Sequence, residues 1–150
     1  MNRKIRFYIF IIIALWCFGI FIEWFAKIDG HLILALPFLQ KTYSLVCHQE
    51  INKLISWDGL HTLTCARCTG IYLGLLFSST MVLFRLPKKI HPIKFLLIAA
   101  IPMMADVVFY TFGVYPYSKV IAFSTGLLLG SIGFFYLYVG LIKLIDELKH

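Results

Sequence analysis

Residues 120–142 read VIAFSTGLLLGSIGFFYLYVGLI, an apolar run without a single charged side chain. At about 1.5 Å of rise per residue a helix of that length crosses the roughly 30 Å hydrocarbon layer of a bilayer. No water reaches the peptide groups there, so the segment must satisfy its own hydrogen bonds, as a helix does. Three further apolar blocks, at residues 7–25, 65–84 and 95–112, extend the pattern. The sequence therefore predicts an all-α integral membrane bundle of about four transmembrane helices, with residues 1–150 forming one polytopic domain. Hydrophobic residues make up 61% of the chain, against about 45 to 50% in a soluble domain, which excludes a water-soluble fold. The run near residues 31–46 is interrupted by Pro37 and is too short to cross; it is expected to lie in the interface or re-enter partway.

The formal charge of +7 reflects short basic groups between apolar blocks rather than one basic face, which fits membrane topology and not nucleic acid. The first block follows Asn2-Arg3-Lys4-Ile5-Arg6. It is too long for a signal-peptide core and lacks a small-residue cleavage site after it, so it reads as a retained helix. Arg3, Lys4 and Arg6 precede the first helix, Arg85, Lys88, Lys89 and Lys94 separate the second and third, and Lys143 and Lys149 follow the fourth. These ends are expected in the cytoplasm of a multi-pass cell-membrane protein with both termini inside. The segment from Ala26 to Thr64, where Lys27, Lys41 and Lys53 are offset by Asp29, Glu50 and Asp58, then forms a structured extracytoplasmic Cys/His loop. Trp24, Trp57, Tyr115 and Tyr117 fall where an aromatic belt would mark that boundary. Gly126 with Gly130, and Gly70, Gly74 and Ser78, form small-residue stripes that let helices approach closely.

Chemistry concentrates in the loop and the start of the second block. Cys65 and Cys68 have the two-residue gap that lets both thiolates reach one ion or each other. Cys47 lies upstream beside His48, and His61 stands four residues before Cys65. Three thiols and an imidazole suit a tetrahedral zinc site. The metal ligands expected are Cys47, Cys65, Cys68 and His48, with His61 as the alternative to His48. Cys47 has no cysteine partner two to four residues away, which departs from an ordinary zinc ribbon. The same cysteines could instead perform thiol-disulfide exchange, with Cys47 as shuttle and Cys65/Cys68 as the pair, as in small helical-bundle oxidoreductases that pass electrons to quinones. A third reading is a non-catalytic membrane partner whose metal pins the loop to the bundle. Cys17 lies within an apolar run and reads as a packing residue, and His31, His91 and His150 read as interfacial or solvated.

If helical geometry already holds at Cys65, steps of about 100° put Cys65, Cys68 and Tyr72 on one face and Arg67 with the glycine stripe on the other. Asp106 is a carboxylate well inside the third block, where an unpaired charge is costly. It either pairs with Arg67 or has a catalytic or transport role, so Asp106, Arg67 and Tyr72 are the catalytic candidates, should there be a reaction. Whether the protein is an enzyme stays open at this point. A bundle this small could work as a homo-oligomer, and the bilayer is its evident partner.

Val46-Cys47-His48-Gln49, the run Cys65-Ala66-Arg67-Cys68-Thr69-Gly70-Ile71-Tyr72-Leu73-Gly74, Pro102 with Asp106, and Thr125-Gly126 with Gly130 together resemble a prokaryotic membrane-protein family called domain of unknown function 2085. The resemblance spans roughly residues 43–130. It implies a small polytopic membrane protein in which Cys47, His48, Gln49, Cys65, Arg67, Cys68 and Asp106 act as one constellation, and it assigns no activity. In that family a basic residue often precedes the Thr-Gly pair of the last helix, where this chain has Ala122-Phe123-Ser124.

Overall fold

A computed structural model describes residues 3–28, 30–84 and 92–147, without the side chains of Ile145 and Asp146. Expectations for Asp29, Arg85, Lys88, Lys89, His91, Lys149 and His150 lie outside those residues. The chain is mostly helical, with α1 at Arg3–Ile20, α2 at Ile22–Ala26, α3 at Leu36–Ser44, α4 at Ala66–Phe84, α5 at Lys94–Thr111 and α6 at Lys119–Glu147. Ala66–Phe84, Lys94–Thr111 and Lys119–Leu144 are long and apolar enough to cross a membrane. Among the described residues these three stand against the expected four. The first apolar block does not form one helix to Phe25, because the chain breaks at Phe21 (φ −99°, ψ 15°) and restarts as α2. A 3₁₀ stretch at Gly30–Ala35 then leads into α3, which has Pro37 in its first turn, where a missing N–H costs nothing.

Close approach of backbones organises the bundle. A Cβ on Gly70 would collide with the Phe123 carbonyl, one on Gly74 with that of Leu127, and one on Gly130 with that of Ile71. Only residues without a side chain allow α4 and α6 to meet this way, and in lipid such contact supplies the attraction that the hydrophobic effect does not. Ser78 Oγ adds a 2.7 Å bond to the Ser131 carbonyl. Ala122 is fully buried, so a basic side chain would not fit at that position.

The loop is a structured unit built on a β-hairpin. β1 (Leu54–Trp57) pairs antiparallel with β2 (Leu60–Cys65), with Trp57 opposite Leu60, Ser56 opposite His61 and Leu54 opposite Cys65, and an irregularity between Leu54 and Ser56. Asp58 and Gly59 both adopt positive φ (53° and 75°), as a two-residue hairpin turn of matching twist requires. Leu63 of β2 packs with Ile20, Ile22 and Tyr43, so that α1, α2, α3 and the hairpin share one buried cluster. Tyr43 is fully buried, and its hydroxyl donates to the Trp16 carbonyl at 2.6 Å. The Glu23 carboxylate accepts the His61 N–H at 2.7 Å, and Lys27 pairs with Asp58 at 3.0 Å. Both contacts hold the hairpin to α2 and the turn after it.

Candidate metal centre

Three elements converge at the hairpin end of the bundle. Cys47 follows the last turn of α3, its N–H bonded to the Tyr43 carbonyl at 2.9 Å; Cys65 ends β2; Cys68 lies in the first turn of α4. The three Sγ atoms lie within 4.8 Å of one another, and all are free thiols. Zinc at about 2.3 Å from each sulfur needs the sulfurs roughly 3.8 Å apart, so movements of about 1 Å would close the set. Cys65 is the last strand residue rather than the first of a helix, and its N–H donates to the Cys47 sulfur at 3.2 Å. The Cys65 thiol, then that of Cys68, donates to the Cys47 sulfur, which holds Cys47 well below the ordinary thiol range. Cys65 is raised, chiefly by its bond to Cys47.

Gln49 fixes this segment. Its backbone is left-handed (φ 50°), uncommon for a residue other than glycine, and its side-chain amide donates to the Leu63 carbonyl at 2.8 Å and the Gln40 carbonyl at 3.3 Å. Those bonds tie the Cys47-His48-Gln49 turn to β2 and α3 at once. Beneath the strand, fully buried Thr62, Thr64 and Thr69 form a relay, with Thr62 Oγ1 donating to the Thr64 carbonyl at 2.7 Å and the Thr64 and Thr69 hydroxyls 2.9 Å apart. The threonines satisfy backbone groups that a buried strand-to-helix junction would otherwise leave without partners.

Neither histidine contributes a ring nitrogen to the sulfur group. His48 is exposed and lines the cleft of about 350 Å³ over the thiols, whose other walls include Lys53 and Arg67. His61 sits on β2, where about 3.3 Å per residue carries it roughly 13 Å along the strand from Cys65; its Nδ1 is buried without a partner among the described residues. Tyr72 lies one turn beyond Cys68 but packs into the bundle, its ring 5.9 Å from that of Trp16. Cys17 is buried and donates to the Tyr72 carbonyl at 3.4 Å, as a packing residue would.

Arg67 and Asp106 meet. The Arg67 guanidinium pairs with Asp106, which is 4% exposed, and the Tyr115 hydroxyl donates to the other carboxylate oxygen. Arg67 presents its carbonyl to Gly126 in the α4–α6 seam while its side chain reaches α5. Gln49, Glu23, Lys53 and Tyr115 acquire their roles only through tertiary contacts. The hairpin had a sequence signal of its own, the Asp58-Gly59 pair between apolar residues.

Fold and site define a small helical membrane protein with three converging thiols at one end. A family profile described as a predicted membrane protein, domain of unknown function 2085, matches residues 47–136, and the chain belongs to that family. An uncharacterised protein of Methanocaldococcus jannaschii is 34% identical over 104 residues, covering 66% of this chain and 65% of its own. The chain therefore spans just under two thirds of that relative's length. An uncharacterised protein of Methanothermobacter thermautotrophicus is 33% identical over 110 residues, covering 72% of this chain and 91% of its own. No solved structure matches the chain.

Proposed function

We propose that the protein binds one zinc ion at the extracytoplasmic face of the cell membrane, through Cys47, Cys65 and Cys68 with His48 as fourth ligand. The observation carrying this reading is the approach of three thiols to within 4.8 Å from three separate elements. His48 is favoured over His61 because it adjoins Cys47 and lines the same cleft, whereas the strand carries His61 away. A set of thiolate and imidazole ligands suits zinc, and closing it would pin α3, the hairpin and α4 together. Cobalt(II) added to the purified, metal-free protein is expected to give the sulfur-to-metal charge-transfer absorption of a thiolate-bound ion. Cobalt that binds without that absorption would show that the thiols are not its ligands.

A second reading, thiol-disulfide exchange, draws on the depressed Cys47 thiol beside Cys65 and Cys68. In that case the Cys65/Cys68 pair gives up two electrons and two protons to a quinone-class acceptor as its disulfide forms. The two readings separate on metal content against redox cycling. A purely structural metal site, the third reading, would matter for folding alone.

Orientation rests on charge. Arg3, Lys4 and Arg6 begin α1, Lys94 begins α5 and Lys143 lies near the end of α6, all at the bundle end opposite the thiols; with α1, packed along α4, crossing as a fourth helix, this charge bias supports a cytoplasmic position for both termini. Lys53→Cys, in a background lacking the native thiols, should react with an impermeant reagent added to intact cells. Reaction only after permeabilisation would reverse the orientation.

A further inference from the structure

α5 is the least buried of the three helices that are long and apolar enough to cross a membrane, and it packs along α6 rather than α4. Its end near the thiols is held across the gap by side chains. Arg67 of α4 pairs with Asp106, to which Tyr115 also donates, and the Lys53 ammonium lies 4.9 Å from the Tyr110 ring centre and 5.9 Å from that of Tyr117. Arg67 and Lys53 are also the two cationic walls of the thiol cleft. Arg67 sits between Cys65 and Cys68 in the chain, so fixing both thiols on one ion fixes the backbone from which the guanidinium reaches α5. Its Nε is buried and has no partner among the described residues.

We propose that occupancy of the thiol centre by a divalent metal and docking of residues 106–117, the end of α5 and the turn after it, are coupled through Arg67 and Lys53, an inference that rests on the metal reading above. A ligand shifts a conformational equilibrium only through contacts that differ between its states. Here the difference is concrete: with α5 docked, Asp106 and the rings of Tyr110 and Tyr117 hold both cations at the cleft wall. With α5 released, Arg67 loses its Asp106 anchor and Lys53 keeps only its 2.7 Å pair with Glu50, itself a wall of the cleft, so the net negative charge that a divalent ion and three thiolates carry together has lost a fixed counter-charge. Because coupling is reciprocal, metal steadies α5 and α5 docking tightens the metal.

The full chain in lipid nanodiscs, with saturating zinc or with chelator, tests this by amide hydrogen exchange and zinc competition. Zinc should slow exchange across residues 110–117 about fivefold or more, the low end of ordinary coupling. Tyr115→Phe and Lys53→Met keep the apolar contacts of each residue. Both should weaken zinc binding by about fivefold or more and remove most of the slowing, while exchange in the middle of α6 stays as in the unaltered protein. Zinc that binds without changing exchange at 110–117, or variants that bind it within twofold of the unaltered chain, would overturn the coupling and leave the metal reading standing. A chain that takes up no zinc in the same competition would overturn both.

Discussion

Cys65→Ser is expected to abolish stoichiometric zinc, weakening its binding by more than about 100-fold, since even groups outside the coordination shell are worth 10- to 100-fold in metal affinity. A serine hydroxyl is a poor zinc ligand at neutral pH and leaves two thiolates on separate elements. Because zinc binds the folded state, the unaltered chain should also gain about 2.7 kcal/mol of stability at a free zinc concentration 100 times the Kd. Cys65→Ser should gain almost none. Cys17→Ser serves as the comparison, because Cys17 is buried against the Tyr72 carbonyl and away from the centre; it should keep its zinc. Isothermal titration with a competing chelator measures all three chains. Equal zinc affinity in Cys65→Ser and the unaltered protein would remove Cys65 from the ligand set.

The second large effect belongs to the buried charges. Asp106→Asn leaves Arg67, whose side chain is 19% exposed at the cleft wall, without its counter-charge, and breaking such a partly buried pair costs about 3 kcal/mol, the low end for buried pairs. Tyr115 loses its carboxylate acceptor as well. The loss should appear as a lower midpoint of unfolding in detergent. Arg67→Met alone should also destabilise, because it strands Asp106, yet adding Arg67→Met to Asp106→Asn should cost little more and could restore part of the loss. The double-mutant cycle measures that coupling directly. Strict additivity would mean that the two side chains do not depend on each other.

The spanning helices were legible because apolar composition over some twenty residues has one structural solution in lipid. The break at Phe21 was not, since apolar residues continue on both sides of Glu23 to Phe25 and a single acidic residue near a helix end does not mark a change of direction. Cys65 and Cys68 announced themselves by spacing, and Cys47 by the scarcity of cysteine elsewhere. The pairing of Asp106 with Arg67 followed from the cost of an isolated charge in the membrane. The hairpin went unread although Asp58-Gly59 is a strong turn pair, because its strands are short and Leu60 to Cys65 mixes apolar and polar residues without a decisive period. That omission kept His61 as an alternative to His48: four residues is one helical turn but about 13 Å of strand. Gln49 and Glu23 brace the site through backbone groups distant in sequence, which spacing does not encode.

Metal analysis and thiol counting on one sample of folded, purified protein test the central claim most directly. The account predicts about one zinc per chain, three thiols shielded from reagent until a chelator is added, and Cys17 reacting only on unfolding. Metal-free, folded protein with a Cys65 to Cys68 disulfide that a mild reductant opens would contradict it and make thiol-disulfide exchange the function of the site.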